Sequence, residues 1–177
     1  MWDPRTLRLA SEWKSDGPLL PLEFKRASND GRLTLVLVEG AEPIQSLWAE
    51  LNYSSPDEAM EALREREGCP SLKPIGGWPN RLPKYSVGIE NIESWGKDVG
   101  ADFVVWTALC PKFNGQNGHA PADAQEAISY LNGLGPGPKE KAKEYVQNAP
   151  AQIDTPFRIE FERVLGWEKL TTGLLTS

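Results

Sequence analysis

An α+β fold, a small mixed β-sheet or barrel flanked by helices with a helical C-terminal third, is what the order of hydrophobic patterns along this chain predicts. Three observations carry that prediction. Apolar segments with strand periodicity crowd the first third, helix-period segments crowd the last third, and no regular strand–helix alternation links them. With 177 residues and 40% hydrophobic content the chain holds enough apolar material for one ordinary core. A single domain over 1–177 is therefore expected, with 168–177 as a mobile tail.

Residues 1–21 have no clean period and carry Pro4, Gly17, Pro18 and Pro21, which reads as a short helical piece around 5–13 followed by a loop. Residues 22–27 alternate apolar and charged side chains, Asn29-Asp30-Gly31 marks a turn, and 33–38 is nearly all apolar. That is a hairpin. Residues 44–51 alternate again and predict a third strand. The next helix has the strongest markers: Ser55 as N-cap, Pro56 at the first position, Glu58 completing a capping box and Gly68 at the stop. Glu67 then falls in its last turn. Pro and Gly punctuate 69–94, predicting a long loop with one short strand near 86–89. Residues 102–109 read as a buried strand stopped by Pro111. Helices are predicted over 122–131, 139–147 and 157–165, opened or closed by Gly133, Pro138, Pro156 and Gly166.

Composition narrows the functional classes. A formal charge of −6, with no cluster of Lys and Arg, speaks against a sequence-independent grip on nucleic acid. Lys139, Lys141 and Lys143 alternate with Glu140 and Glu144 as a solvated helix face does. Two cysteines, Cys69 and Cys110, and one histidine, His119, make neither a disulfide framework nor a four-ligand zinc site. No apolar run approaches the ~20 residues that span a bilayer, and 1–10 does not read as a secretory signal. The expected compartment is the cytoplasm, and no metal site is expected.

Glu67 is the leading candidate for chemistry. A carboxylate in the last turn of a helix meets the negative end of the macrodipole, which disfavours its charged form. Burial beneath a loop acts in the same direction, and a general base needs such tuning. The competing interpretation is a solvated charged helix end, Arg64-Glu65-Arg66-Glu67. Cys110 with His119 is the other nucleophile–base pairing available, although a cysteine closing a buried strand is ordinarily an inert core residue.

The stretch Ser46-Leu47-Trp48-Ala49-Glu50-Leu51, the helix from Ser55 to Leu63, and Arg64-Glu65-Arg66-Glu67-Gly68 resemble the γ-glutamylcyclotransferase superfamily. There a strand is followed by a short helix ending in a Leu-Asp-x-x-Glu-Gly type motif. Leu63, Glu67 and Gly68 match that motif, whereas Arg64 stands where the family commonly has Asp. The family's Tyr-Gly-Ser-Asn type loop, whose amides hold the substrate carboxylate, has no counterpart in this sequence. The resemblance implies a cofactor-independent transferase or lyase of barrel type that releases 5-oxoproline and an amine from a γ-glutamyl amine or peptide. Glu67 would be its general base, with Gly68, Ile75, Gly76, Gly77 and Trp106 lining the substrate pocket. Without reference to the family, the glycine pair reads as a simple turn and Trp106 as a core residue. The alternative function is a non-catalytic module of the same shape. It would bind a metabolite, or a protein through exposed Trp2, Trp13, Trp78 or Trp95.

Overall fold

The computed structural model describes residues 7–170. Along them run the strands β1 (Leu19–Ala27), β2 (Leu33–Leu37) and β3 (Pro43–Gln45), then helix α1 (Pro56–Arg66), β4 (Ile75–Trp78) and α2 (Ile89–Asp98). After these come β5 (Val104–Thr107), β6 (Lys112–Phe113), β7 (Gln116–Asn117), and the helices α3 (Ala124–Asn132), α4 (Pro136–Gln147) and α5 (Pro156–Leu165). The class is α+β with a helical C-terminal third, as expected. Internal contacts divide the chain into two compact units, one of Met1–Leu22 with Val36–Cys110 and one of Glu23–Leu35 with Pro111–Ser177. Both are discontinuous, because β1 and β2 each begin in one unit and end in the other. None of the described helices is long and apolar enough to cross a membrane.

In the first unit, Leu19, Leu20 and Pro21 of β1 pair antiparallel with Gln45, Ile44 and Pro43 of β3. The strand expected over 44–51 is regular only in β3. Beyond it the chain stays extended but finds an irregular partner, residues 8–17. The Lys14 and Trp48 amides each donate to the other's carbonyl, at 2.8 and 3.1 Å, and Ala10 and Asn52 donate to Glu50 and Arg8. The same pairing overrides the helical piece expected around 5–13. Leu9 forms a bridge with Leu51 instead, while residues 5 and 6 lie outside the described part. Local pattern yielded here to a long-range pairing that satisfies the backbone equally well.

Helix α1 forms as its caps dictate. The Ser55 hydroxyl accepts from the Glu58 amide at 3.3 Å, and Gly68 takes φ +63° just past the end. Its buried face, Ala59, Met60 and Leu63, packs on the antiparallel pair β4–β5, with Ile75 completing the cluster and Leu72 and Val105 against it. Met60, Leu63 and Ile75 each contribute about 1.5–3 kcal/mol through burial. The predicted long loop over 69–94 is thus interrupted by strand β4, and no strand forms at 86–89. Those residues lead into α2, whose buried side carries Ile92 and Gly96. A Cβ on Gly96 would meet Trp78 and Val104 at 3.2–3.3 Å, so this glycine lets the helix lie close against the strands.

In the second unit, Arg26 of β1 pairs parallel with Lys112 of β6, which makes the sheet mixed. Strands β6 and β7 form a hairpin across Asn114-Gly115, both at positive φ (49° and 78°), the geometry a two-residue primed turn requires. The core is aromatic: Phe24 meets Tyr145 and Phe161 edge-on, and Phe157 and Trp167 extend the cluster. Buried Glu23 accepts from the Thr155 hydroxyl at 2.5 Å and from the Phe24 and Phe157 amides, so it sits at the positive end of α5. Arg158, fully buried, donates to the carbonyls of Ala149, Pro150 and Ile153. The segment after Trp167 is held at its beginning. The Leu170 amide donates to Gln147, and Lys169 pairs with Asp154 at 3.0 Å. The rest of the expected tail, 171–177, lies outside the described residues.

Candidate functional site

The first unit contains a cavity of about 640 Å³, within the roughly 300–1,000 Å³ typical of small-molecule sites. One wall is the irregular ribbon, with Leu9, Trp13, Trp48 and Glu50. Leu63 and Arg66 at the end of α1 form a second, and Ile92 and Trp95 of α2 with Phe103 and all of β5 close it. The lining is mainly apolar and heavily aromatic. Four tryptophans reach it: Trp13, Trp48, Trp95 and Trp106.

Two of those rings are fixed by a single residue. Asp16 accepts from the Trp48 indole N–H through Oδ1 at 2.7 Å and from the Trp95 indole N–H through its backbone carbonyl at 3.1 Å. The rings meet edge to face with centroids 5.0 Å apart, and the Lys14 ammonium lies 4.2 Å above Trp48 while bonding Glu50 at 2.6 Å. Trp106 is placed by β5, paired with Gly76 of β4. Its indole nitrogen is buried and makes no hydrogen bond, which costs about 1–3 kcal/mol for a neutral donor.

Of the residues expected to act, Glu67 is the C-cap of α1, and its amide bonds back to Leu63 at 3.0 Å. Its side chain is a quarter exposed and is bound by the guanidinium of Arg66, a residue whose side chain is only 10% exposed. Arg66 lines the cavity, whereas Glu67, Gly68, Ile75, Gly76 and Gly77 are not among its lining residues. The glycine pair is strand, not turn, and its neighbours are side chains of the protein. A Cβ on Gly76 would overlap the indole of Trp106, and one on Gly77 would reach the Met60 sulfur at 2.5 Å. Ile75 is fully buried in the α1 cluster and Gly68 is exposed. Arg64 donates to Glu61 and to the Cys69 carbonyl, tying down the helix end.

Cys110 is half-buried in the first unit, and His119 is exposed in the second. Among the described residues no three His, Cys, Asp or Glu side chains converge as metal ligands. Trp13 is exposed at 37%, but Trp78 and Trp95 are half-buried against Gly96 and Trp48; Trp2 lies outside the described residues. Sequence reasoning passed over Asp16, Arg66 and Trp48 as site residues. The available signal was Trp48 beside Ala49 and Glu50 in an alternating segment, but its partner segment could not be read locally. Comparison with protein-family models, with curated proteins and with solved structures finds no match to this chain.

Proposed function

We propose that this chain is a small-molecule binding module whose first unit takes up one largely apolar, aromatic-compatible ligand. The observation that supports this best is the cavity of about 640 Å³ walled by four tryptophans. Aromatic walls contribute large apolar area with few rotatable bonds, the combination that binds flat or hydrocarbon-rich ligands. The ribbon wall is held by side-chain clasps at Asp16, so the site is preformed and little ordering cost falls on binding. The proposed compartment remains the cytoplasm, on the sequence argument alone, and exposed Trp13 leaves a protein partner as a subsidiary role. The test uses the neutral fluorescent probe N-phenyl-1-naphthylamine. Saturable one-to-one binding is expected, and Ala49→Trp, which adds bulk at the lining, should remove it. Absence of saturable binding to the wild-type chain refutes the reading.

The γ-glutamyl cyclisation is a second reading, supported by the Leu63, Glu67, Gly68 pattern and by the position of Glu67 at the helix end beside a cavity residue. In it Glu67 carries the proton from the attacking α-amino nitrogen to the leaving amine, and the tethered nucleophile needs chiefly orientation. Release of 5-oxoproline from a γ-glutamyl amine, abolished by Glu67→Gln with the melting temperature kept, is its expected signature. No turnover on any γ-glutamyl compound ends it.

A further inference from the structure

We infer that the cavity ligand is an apolar carboxylic acid whose carboxylate is received by Arg66, with Glu67 serving as the internal counter-ion that the ligand replaces; this rests on the binding-module reading above. Among the described residues lining the cavity, Arg66 is the one base. Of the two acidic residues lining the cavity, Glu50 is bonded by Lys14 and Asp102 is exposed. The Arg66 side chain is nine-tenths buried, so its charge acts in a medium of lower dielectric than water and demands an anion nearby.

Glu67 supplies that anion, but from outside the cavity lining and with a quarter of its side chain in solvent. The carboxylate therefore regains hydration if it swings away, at small cost. The guanidinium has no such outlet. An incoming carboxylate reproduces the planar, two-pronged match that guanidinium groups favour. The rest of such a ligand meets Leu63, Trp106 and the facing tryptophans, whose surfaces are apolar. Exchange of one carboxylate for another at a fixed guanidinium leaves the buried charge balanced throughout. A cationic or merely neutral ligand offers nothing that replaces Glu67, and gains only the apolar contacts.

The inference assigns Glu67 a role opposite to that of a base. Removing its charge should help the ligand, because the competitor is gone. The test is displacement of N-phenyl-1-naphthylamine by biphenyl-4-carboxylate and by biphenyl-4-methanol, which share an apolar body and differ in charge. The acid should displace the probe at a concentration at least tenfold lower than the alcohol. That preference should vanish in Arg66→Gln and widen severalfold in Glu67→Gln. Should Arg66→Gln fail to fold, Glu67→Gln alone decides, since an unchanged or narrowed preference there overturns the inference. Equal displacement by acid and alcohol overturns it too while the probe's own binding keeps the cavity reading intact. Failure of the probe to bind at all removes both.

Discussion

Adding a single methyl group at Gly76 probes the packing on which the cavity wall depends. An ideal Cβ there lies 2.7 Å from Cδ2 of Trp106 and nearer still to Cε2 and Cζ2, whereas carbon atoms prefer about 3.5–4.0 Å. The neighbour is a rigid ring on a strand paired with Gly76, so no flexible chain end can yield. Overpacking of this kind costs about 1–3 kcal/mol, offset slightly by the better backbone entropy of alanine. For a chain of this length that predicts a fall in Tm of about 2–12 °C for Gly76→Ala. The double mutant with Trp106→Leu should recover part of the loss, giving a coupling of about 0.5–3 kcal/mol between positions in contact. Urea unfolding of the four chains, followed by circular dichroism, measures it. A neutral Gly76→Ala, or losses that simply add, would show that the indole does not lie across this glycine and would remove one wall of the proposed site.

Two further perturbations read other parts of the molecule. Burial pushes the Glu23 carboxyl above its ordinary 4.5, with the bonds from Thr155, Phe24 and Phe157 and the charge of Lys25 pulling it back. A carboxyl that binds its proton more tightly when folded adds stability below its unfolded value and loses that contribution as pH rises through the folded value. The unfolding free energy of wild type minus that of Glu23→Gln should accordingly fall across a window starting near 4.5 and then level off; a rise over the same window contradicts the burial argument. Asp16→Ala removes the Oδ1 acceptor of Trp48 but keeps the carbonyl that holds Trp95. Tryptophan emission should shift to longer wavelength with a stability loss of about 0.5–1.5 kcal/mol, and unchanged emission would mean that the clasp does not fix the ring.

What could be read in advance was what neighbours in sequence decide among themselves. Ser55, Pro56 and Glu58 specify the start of α1 through bonds spanning three residues, and Asn29-Asp30-Gly31 specifies its turn in the same way. Helix α2 was missed although Ile89, Ile92 and Val99 keep a helical spacing, because the flanking prolines and glycines outweighed it. Likewise Asn114-Gly115 carried the strongest short-range hairpin signal, but each flanking strand is only two residues long. Residues 46–51 were rightly extended, yet their partner at 8–17 lies some thirty residues or more upstream and has no periodicity of its own. The cavity assembles from that ribbon, two helices and β5, so no local window contains it. Gly76 and Gly77 were expected to line a pocket or make a turn, whereas they lie in a strand with Trp106 and Met60 against them, neighbours that no local pattern identifies.

The interleaving of the two units has a consequence for how the chain matures as it leaves the ribosome. Residues 23–35 emerge well before the segment from Pro111 onward, which completes their unit. The half of β1 that contributes Leu19 to Leu22 can meet β3 some twenty residues later, while the adjoining half must remain exposed, with Phe24 uncovered, until the helices arrive. A nascent chain arrested after Cys110 should thus show a protease-resistant first unit with a hairpin tip open to cleavage and to chaperones that bind apolar segments. Separate expression of either half by one cut in the gene would sever partners that only the intact polypeptide brings together.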